Sequence, residues 1–170
     1  MSFDKAFEIV LGAEGGYSND RLDPGGETNY GIADARDGKK DGLADLDGDG
    51  RGDVSIRDLT VANARSVYRM DYWDACGCDA LPWPLSLYVF DAAVNQGVGA
   101  AKRMLQRALG TVQDEVIGAT TLALAEKSGP WHRARFMAFR AQRYMATRNF
   151  DRFGNGWLTR LFDVFERGGE

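Results

Sequence analysis

Two stretches of the chain carry side chains whose types and spacing can do chemistry. In the first, Glu14 follows an apolar run and precedes Gly15-Gly16, with a second acid nine residues on at Asp23 and a hydroxyl at Thr28. A carboxyl at the end of an apolar helix meets partial desolvation and the negative end of the helix dipole, and both favour its protonated form. Cleavage of a glycosidic bond needs such a proton donor, with a second polar group to steady the oxocarbenium ion or activate water. Taken alone, a glutamate before two glycines is as readily a capped turn. In the second stretch, Asp45, Asp47 and Asp49, followed by Gly50, place oxygen ligands at positions 1, 3 and 5 of a calcium loop and glycine at position 6, where the chain must turn sharply.

That loop departs from the EF-hand further along. Arg51 would offer its backbone carbonyl at position 7 and Asp53 falls at position 9, but position 12 is Ile56, which cannot ligate. Asp58 is the nearest acid able to close the shell. Read as an acidic linker, three alternating aspartates would repel one another without compensation. The expectation is therefore a structural calcium ion held by Asp45, Asp47, Asp49, Arg51, Asp53 and Asp58, with no cofactor for catalysis.

Other chemistries are poorly served. The lone His132 cannot build a histidine metal cluster or a Ser-His triad, and reads as a surface residue at a helix start. Cys76 and Cys78, one residue apart, are too close for an ordinary disulfide and read as reduced structural thiols. The net charge of −4 is uneven: residues 1–101 hold 9 Lys or Arg against 18 Asp or Glu, and residues 102–170 hold 12 against 7. The basic half faces either an anionic polymer or simply water. No nucleic-acid reader motif is present, and the acidic N-terminal half argues against that partner.

Positioning these residues falls to a mainly α chain of 170 residues, expected as one compact unit. Phe3, Phe7, Ile9, Val10 and Leu11 recur at near-helical spacing and predict a first helix ending near Gly15 and Gly16. From there to Gly31 the many Gly, Asn, Asp and Pro residues predict turns and a short hairpin. Helical patterning resumes over Thr60–Trp73, breaks at Pro82 and Pro84, and predicts helices over Leu85–Asn95, Ala100–Leu109, Ile117–Glu126, Trp131–Thr147 and Gly156–Phe165. Phe136, Phe139, Tyr144, Phe153, Trp157 and Phe162 sit at helical intervals, as core residues or as a sugar-stacking platform. The longest apolar run, Leu85–Phe90, is far short of the roughly 20 residues that span a bilayer. Nor does the start resemble a Sec signal, which predicts synthesis in the cytoplasm.

The Glu14, Asp23 and Thr28 spacing resembles the Glu/Asp/Thr constellation of phage-type lysozymes, with one residue fewer before the threonine. The full string EGGYSNDRLDPGGETNYGIA, Glu14 to Ala33, is similar to glycoside hydrolase family 108, which contains N-acetylmuramidases of phage endolysins and bacterial secretion activator proteins. The resemblance continues through the acidic insertion to RDLT (Arg57–Thr60), YRMDYWD (Tyr68–Asp74), FDAAVNQG (Phe90–Gly97), LQRALG (Leu105–Gly110) and VIGATTL (Val116–Leu122). It departs at Asp114-Glu115, where relatives commonly carry glycine second, which bears on the local turn.

The resemblance implies a lysozyme-like helical fold with a hairpin region after the first helix. It divides the chain into a catalytic part over 1–89, with the calcium loop at 45–58, and a helical part over 90–170 similar to the family's peptidoglycan-binding segment, packed as one unit. It implies a hydrolase of the β-1,4 bond between N-acetylmuramic acid and N-acetylglucosamine, with Glu14 as general acid. Asp23 and Thr28 carry over from the wider lysozyme comparison, to position water or the developing cation. Tyr30 is expected to line the sugar cleft and Asn95 to form a polar wall, or else serve as a helix-capping or core amide. A lytic transglycosylase would use the same glutamate without water, and a non-catalytic wall-binding module would only bind. The implied partner is the peptidoglycan strand, met by a monomer that is not membrane-embedded and that reaches the wall through a holin or secretion machinery.

Overall fold

A computed structural model describes residues 2–12, 17–18 and 26–169 of the chain. Among the described residues, seven α-helices and four two-residue strands make it mainly α, and it divides into two compact units. One comprises Met1–Ile9 and Tyr72–Glu170, the other Val10–Asp71. Among the described residues, no helix is long and apolar enough to cross a membrane.

The larger unit is organised around α3 (Leu85–Gln96), in which every residue from Leu85 to Ala93 is buried. A helix apolar on all sides must be enclosed by others. Here α4 (Val98–Leu109) and α7 (Phe150–Arg167) pack on it, and α6 (Pro130–Met145) packs on both α4 and α7. α5 (Ala119–Glu126) lies against α4. The turn from α3 into α4 is made by the single residue Gly97, at φ 89 and ψ 146, a conformation that a side chain would strain. From α1 (Ser2–Leu11), Phe3 meets Trp73 and Phe90 edge-on at 5.3 and 5.9 Å, and Trp73 meets Phe90 at 5.5 Å. Trp73 sits on a turn of π-helix (Arg69–Asp74) and donates its indole N–H to Asp79 at 2.8 Å, so a fully buried polar group is satisfied.

The smaller unit contains two short hairpins, β1 (Thr28–Asn29) with β2 (Ile32–Ala33) and β3 (Leu43–Ala44) with β4 (Val54–Ser55). α2 (Val61–Tyr68) follows, its start fixed by a capping box: Thr60 Oγ1 accepts from Asn63 N–H, and Asn63 Oδ1 accepts from Thr60 N–H. Val10, Ile32, Ala44, Ile56, Leu59, Ala64, Val67 and Tyr68 are its buried apolar residues among those described.

Several boundaries differ from the periodicity. α1 stops at Leu11, ahead of Gly15-Gly16, with Gly12 already in a turn. α7 starts at Phe150, ahead of the predicted Gly156, and includes Gly154, where a Cβ would lie 2.6 Å from the Phe150 ring. Of the spaced aromatics, Phe136 and Tyr144 are core, whereas Phe153 and Phe162 are exposed. The Asp114-Glu115 turn keeps the conformation that glycine favours, with Glu115 at φ 65. It is held by Glu115 N–H donating to Gln106 Oε1, by Gln106 Nε2 and Val116 N–H donating to Asp114 Oδ1, and by an ion pair of Arg103 with Glu115.

The polar heart of the larger unit is Asp91, fully buried on α3. Its Oδ2 accepts from Arg140 of α6 at 2.5 Å, and its Oδ1 accepts from Arg160 of α7 at 2.8 and 3.0 Å. Arg140 is also fully buried, and its Nε donates to Gln96 Oε1. Removing one member of a buried ion pair leaves the others desolvated and unmatched, at a cost of about 3–5 kcal/mol. Asp91→Asn is therefore expected to lower unfolding stability by about that amount in urea titration. A loss below about 1 kcal/mol would show that the charge, as opposed to the shape, of Asp91 matters little.

Candidate functional site

Glu14 and Asp23 lie outside the described residues, so the site is built from the hairpin that follows them. Thr28 is half-buried on β1 and pairs with Ala33, and its backbone N–H and C=O both bond Ser18, each at 2.8 Å. Tyr30 and Gly31 form the two-residue hairpin turn, both at positive φ (50 and 75), the backbone pattern of a type I′ turn. Tyr30 is half-buried, and its carbonyl accepts from Tyr68 Oη at 3.1 Å.

The residue that fixes this hairpin was not anticipated. Asn29 is buried, and its Nδ2 donates to the carbonyls of Ile56 and Arg57 at 3.1 and 3.3 Å, tying β1 to the turn of 3₁₀ helix Ile56–Asp58. The same turn carries Arg57, whose Nη2 donates to Tyr17 Oη at 3.2 Å with the guanidinium over the Tyr17 ring. The bond to Tyr17 and its charge raise the Arg57 pKa. Thr28, Tyr30, Tyr17 and Arg57 thus belong to one hydrogen-bonded frame, in which a 41% exposed aromatic ring is held by a cation. That this stretch makes turns and a short hairpin was readable from its Gly, Asn, Asp and Pro content; the partners of Asn29 and Tyr17, 27 and 40 residues away, were not.

The acidic loop between β3 and β4 is closed by its own side chains. Asp45 Oδ1 accepts from the N–H groups of Gly48 (2.7 Å) and Asp47 (3.2 Å), and its Oδ2 from Gly50 (2.9 Å). Asp47 Oδ1 accepts from Asp49 N–H and Asp49 Oδ1 from Arg51 N–H. Gly48 and Gly50 stand at φ 81 and 83, where a side chain is strained. One carboxylate oxygen each of Asp45, Asp47 and Asp49 lies within 4.8 Å of the others, so these three fit a hard cation. Arg36 donates to the Asp45 carbonyl and is paired with Asp71, and Lys39 donates to the Gly50 carbonyl. Asp53 uses Oδ2 to accept from Leu46 N–H at 2.7 Å, across the base of the loop. Ile56 is fully buried, and Asp58 is exposed on the turn after it.

Asn95 is in the larger unit, on the last turn of α3. Its Nδ2 donates to the Asp91 carbonyl at 2.9 Å and to Asp91 Oδ1 at 3.2 Å. It also lines an open cavity of about 420 Å³ with Gln96, Arg143, Tyr144, Thr147 and Trp157. The amide is thus both a partner of the core carboxylate and part of a cavity wall. His132 caps α6, its Nδ1 accepting from Gly129 N–H at 3.2 Å.

A mainly α chain whose first helix leads into a small hairpin, with an acidic loop behind it, is of lysozyme-like class. The family model of glycosyl hydrolase 108 matches residues 7–97, and the chain belongs to that family. The solved structure of Brucella abortus SagA is similar over 98% of this chain and 92% of its own, at 33% identity and a TM-score of 0.80. No curated protein matches. Family membership supports glycoside hydrolase activity on peptidoglycan.

The Asp45 carboxylate is held below its ordinary value of 3.8, chiefly by the Gly50 N–H, against the opposing effect of burial, with further help from the Gly48 and Asp47 N–H groups and the Arg36 charge. A depressed folded-state pKa gives stabilisation that is present above the unfolded value and lost as pH falls through the folded one. In chelator, the amide resonances of Gly48 and Gly50 are expected to titrate with a midpoint below 3.8. A midpoint at or above that value would mean the carboxylate does not organise the loop.

Proposed function

We propose that the protein is an N-acetylmuramidase, hydrolysing the β-1,4 bond between N-acetylmuramic acid and N-acetylglucosamine with Glu14 as the single general acid. The observation that carries this reading is that the family match over residues 7–97 contains the whole Glu14–Ala33 string. Glu14 delivers its proton to the bridging oxygen as the bond breaks. Asp23 or Thr28 places the attacking water or steadies the oxocarbenium ion, Tyr30 borders the sugar and Asn95 supplies a polar wall. Thr28 and Tyr30 suit these roles because the hairpin bearing them is pinned by Asn29, and a catalytic group must be held still to act. The segment 90–170 contributes further contacts to the glycan strand.

Replacing the carboxyl by an amide of the same shape removes the transferable proton. Glu14→Gln is expected to lower release of reducing ends from purified sacculi by at least ~100-fold, while its thermal unfolding stays that of the parent. Near-parental activity would overturn the assignment. Mass spectrometry of the parent's products separates hydrolysis from transglycosylation, since the hydrolytic product is one water heavier than the anhydro sugar.

The loop over Asp45–Asp58 is proposed to hold a structural calcium ion through the Asp45, Asp47 and Asp49 carboxylates and the Arg51 carbonyl, with Asp53 or Asp58 completing the shell. Support comes from the convergence of the three carboxylates and from the left-handed Gly48 and Gly50, one on either side of Asp49. An ion that binds only the folded chain stabilises it, by about 2.7 kcal/mol at 100 times its Kd. Calcium is expected to raise Tm relative to excess EGTA, and Asp45→Ala to abolish the difference. Superimposable melting curves of the parent in calcium and in EGTA would reject the ion.

A further inference from the structure

The cavity beside Asn95 has features that the general acid reading does not use. Trp157 of α7 lines it with its indole stacked on Tyr144, centroids 5.2 Å apart and planes 22° from parallel, so the ring is fixed in orientation. Gln96 is locked by two bonds to one residue, Nε2 donating to the Arg140 carbonyl and Oε1 accepting from Arg140 Nε. The Tyr144 hydroxyl is enclosed beside the Arg140 guanidinium, and burial raises its pKa. Behind the wall, Arg140 and Arg160 both pair with the buried carboxylate of Asp91.

Arg143 stands at the edge of this cavity and also lines an adjoining depression of about 340 Å³ on α4 and α6. The cations around that second depression are engaged: Arg103 pairs with Glu115, and Arg107 lies over the Phe139 ring at 4.0 Å. Arg143 is exposed, and its guanidinium makes one long hydrogen bond, 3.4 Å, to the Gln96 carbonyl. Most of its five donors remain for a ligand, in a planar fork suited to a carboxylate.

We propose that this cavity is a subsite for a pyranose ring whose substituent carries a carboxylate, with Arg143 as the residue that distinguishes a peptide-bearing muramoyl sugar from plain N-acetylglucosamine. An oriented indole offers an apolar face to the sugar's C–H groups, and the Asn95 and Gln96 amides and Thr147 hydroxyl suit its acetamido and hydroxyl groups. The assignment rests on peptidoglycan being the substrate, and goes beyond it by naming where the stem-peptide carboxylate is read.

The test uses the full chain carrying Glu14→Gln, so that glycans bind without being cut, and calorimetric titration with two probes. One is a tetrasaccharide of alternating N-acetylglucosamine and muramic acid bearing its stem peptides; the other is chitotetraose, which has no carboxylate. Added Arg143→Gln is expected to weaken the peptide-bearing probe about 10-fold, the size of one lost charged hydrogen bond, and to leave chitotetraose within about twofold. Trp157→Ala is expected to weaken both by about 10-fold, and Trp157→Phe, which keeps the aromatic packing on Tyr144, to restore most of that loss. A chain that binds neither probe, an Arg143 variant that loses both alike, or affinities unmoved by either position would overturn the proposal. Reducing ends released by the parent with no Arg143-dependent preference would sink the subsite alone. An Arg143-dependent preference in a chain that releases none would sink the chemistry alone.

Discussion

The buried Asp91 carboxylate has to satisfy two guanidinium groups at once, and the helices of its unit are arranged around that requirement. An ion moved into a low-dielectric interior is costly unless its partners arrive with good geometry. Asp91 meets the condition by taking Arg140 from α6 on one oxygen and Arg160 from α7 on the other. Those bonds fix where both helices stand against α3, because neither guanidinium can withdraw without leaving a buried charge unmatched. Apolar packing around α3 could tolerate small slips of one helix along another; the carboxylate cannot. The last turn of α3 inherits this precision, since Asn95 bonds Asp91 and Gln96 bonds Arg140.

The smaller unit is stabilised on a different principle. Its strands are two residues long, too short to hold a sheet by ladder bonds alone. Polar side chains bonded to backbone take over: Asn29 to the carbonyls of Ile56 and Arg57, Asp34 Oδ1 to the N–H of Gly42, and Asp45 to three N–H groups of its own loop. Such short polar side chains compete with regular structure and favour turns. They leave loops that are nonetheless fixed, the condition under which a loop can carry catalytic or ligating groups.

This contrast explains what could be read from the residues. Period-3.6 patterning located α3, α4 and α6 to within one or two residues, because their burial is set by apolar spacing. The hairpin was visible in the Gly, Asn, Asp and Pro content of the stretch up to Gly31, and the Asp-x-Asp-x-Asp-Gly spacing marked the loop, since turn chemistry is local. What stayed hidden was non-local or contrary to propensity. Gly154 and Gly156, poor helix formers, masked the start of α7, where a Cβ on Gly154 would meet the Phe150 ring. The roles of Asp91, Asn29 and Tyr17 depend on partners 27 to 69 residues away, which no spacing rule encodes. Asn95, with two readings open at the outset, bonds the core carboxylate of Asp91 and also lines an open cavity.

The same accounting changes how the basic C-terminal half is understood. A surplus of arginine over residues 102–170 suggests a surface for an anionic polymer, yet most of these guanidiniums are occupied within the chain. Arg140 and Arg160 serve Asp91; Arg103 holds the Glu115 turn; Arg107 and Arg135 lie over Phe139 and Trp131; Arg167 pairs with Asp163. Exposed pairs of this kind contribute little stability, about 0–1 kcal/mol each, but they do consume donors. Net charge over a segment therefore overstates what it offers a ligand. The quantity that matters is the number of donors left unspent at a concave surface, and Arg143 beside the Asn95 cavity meets that criterion.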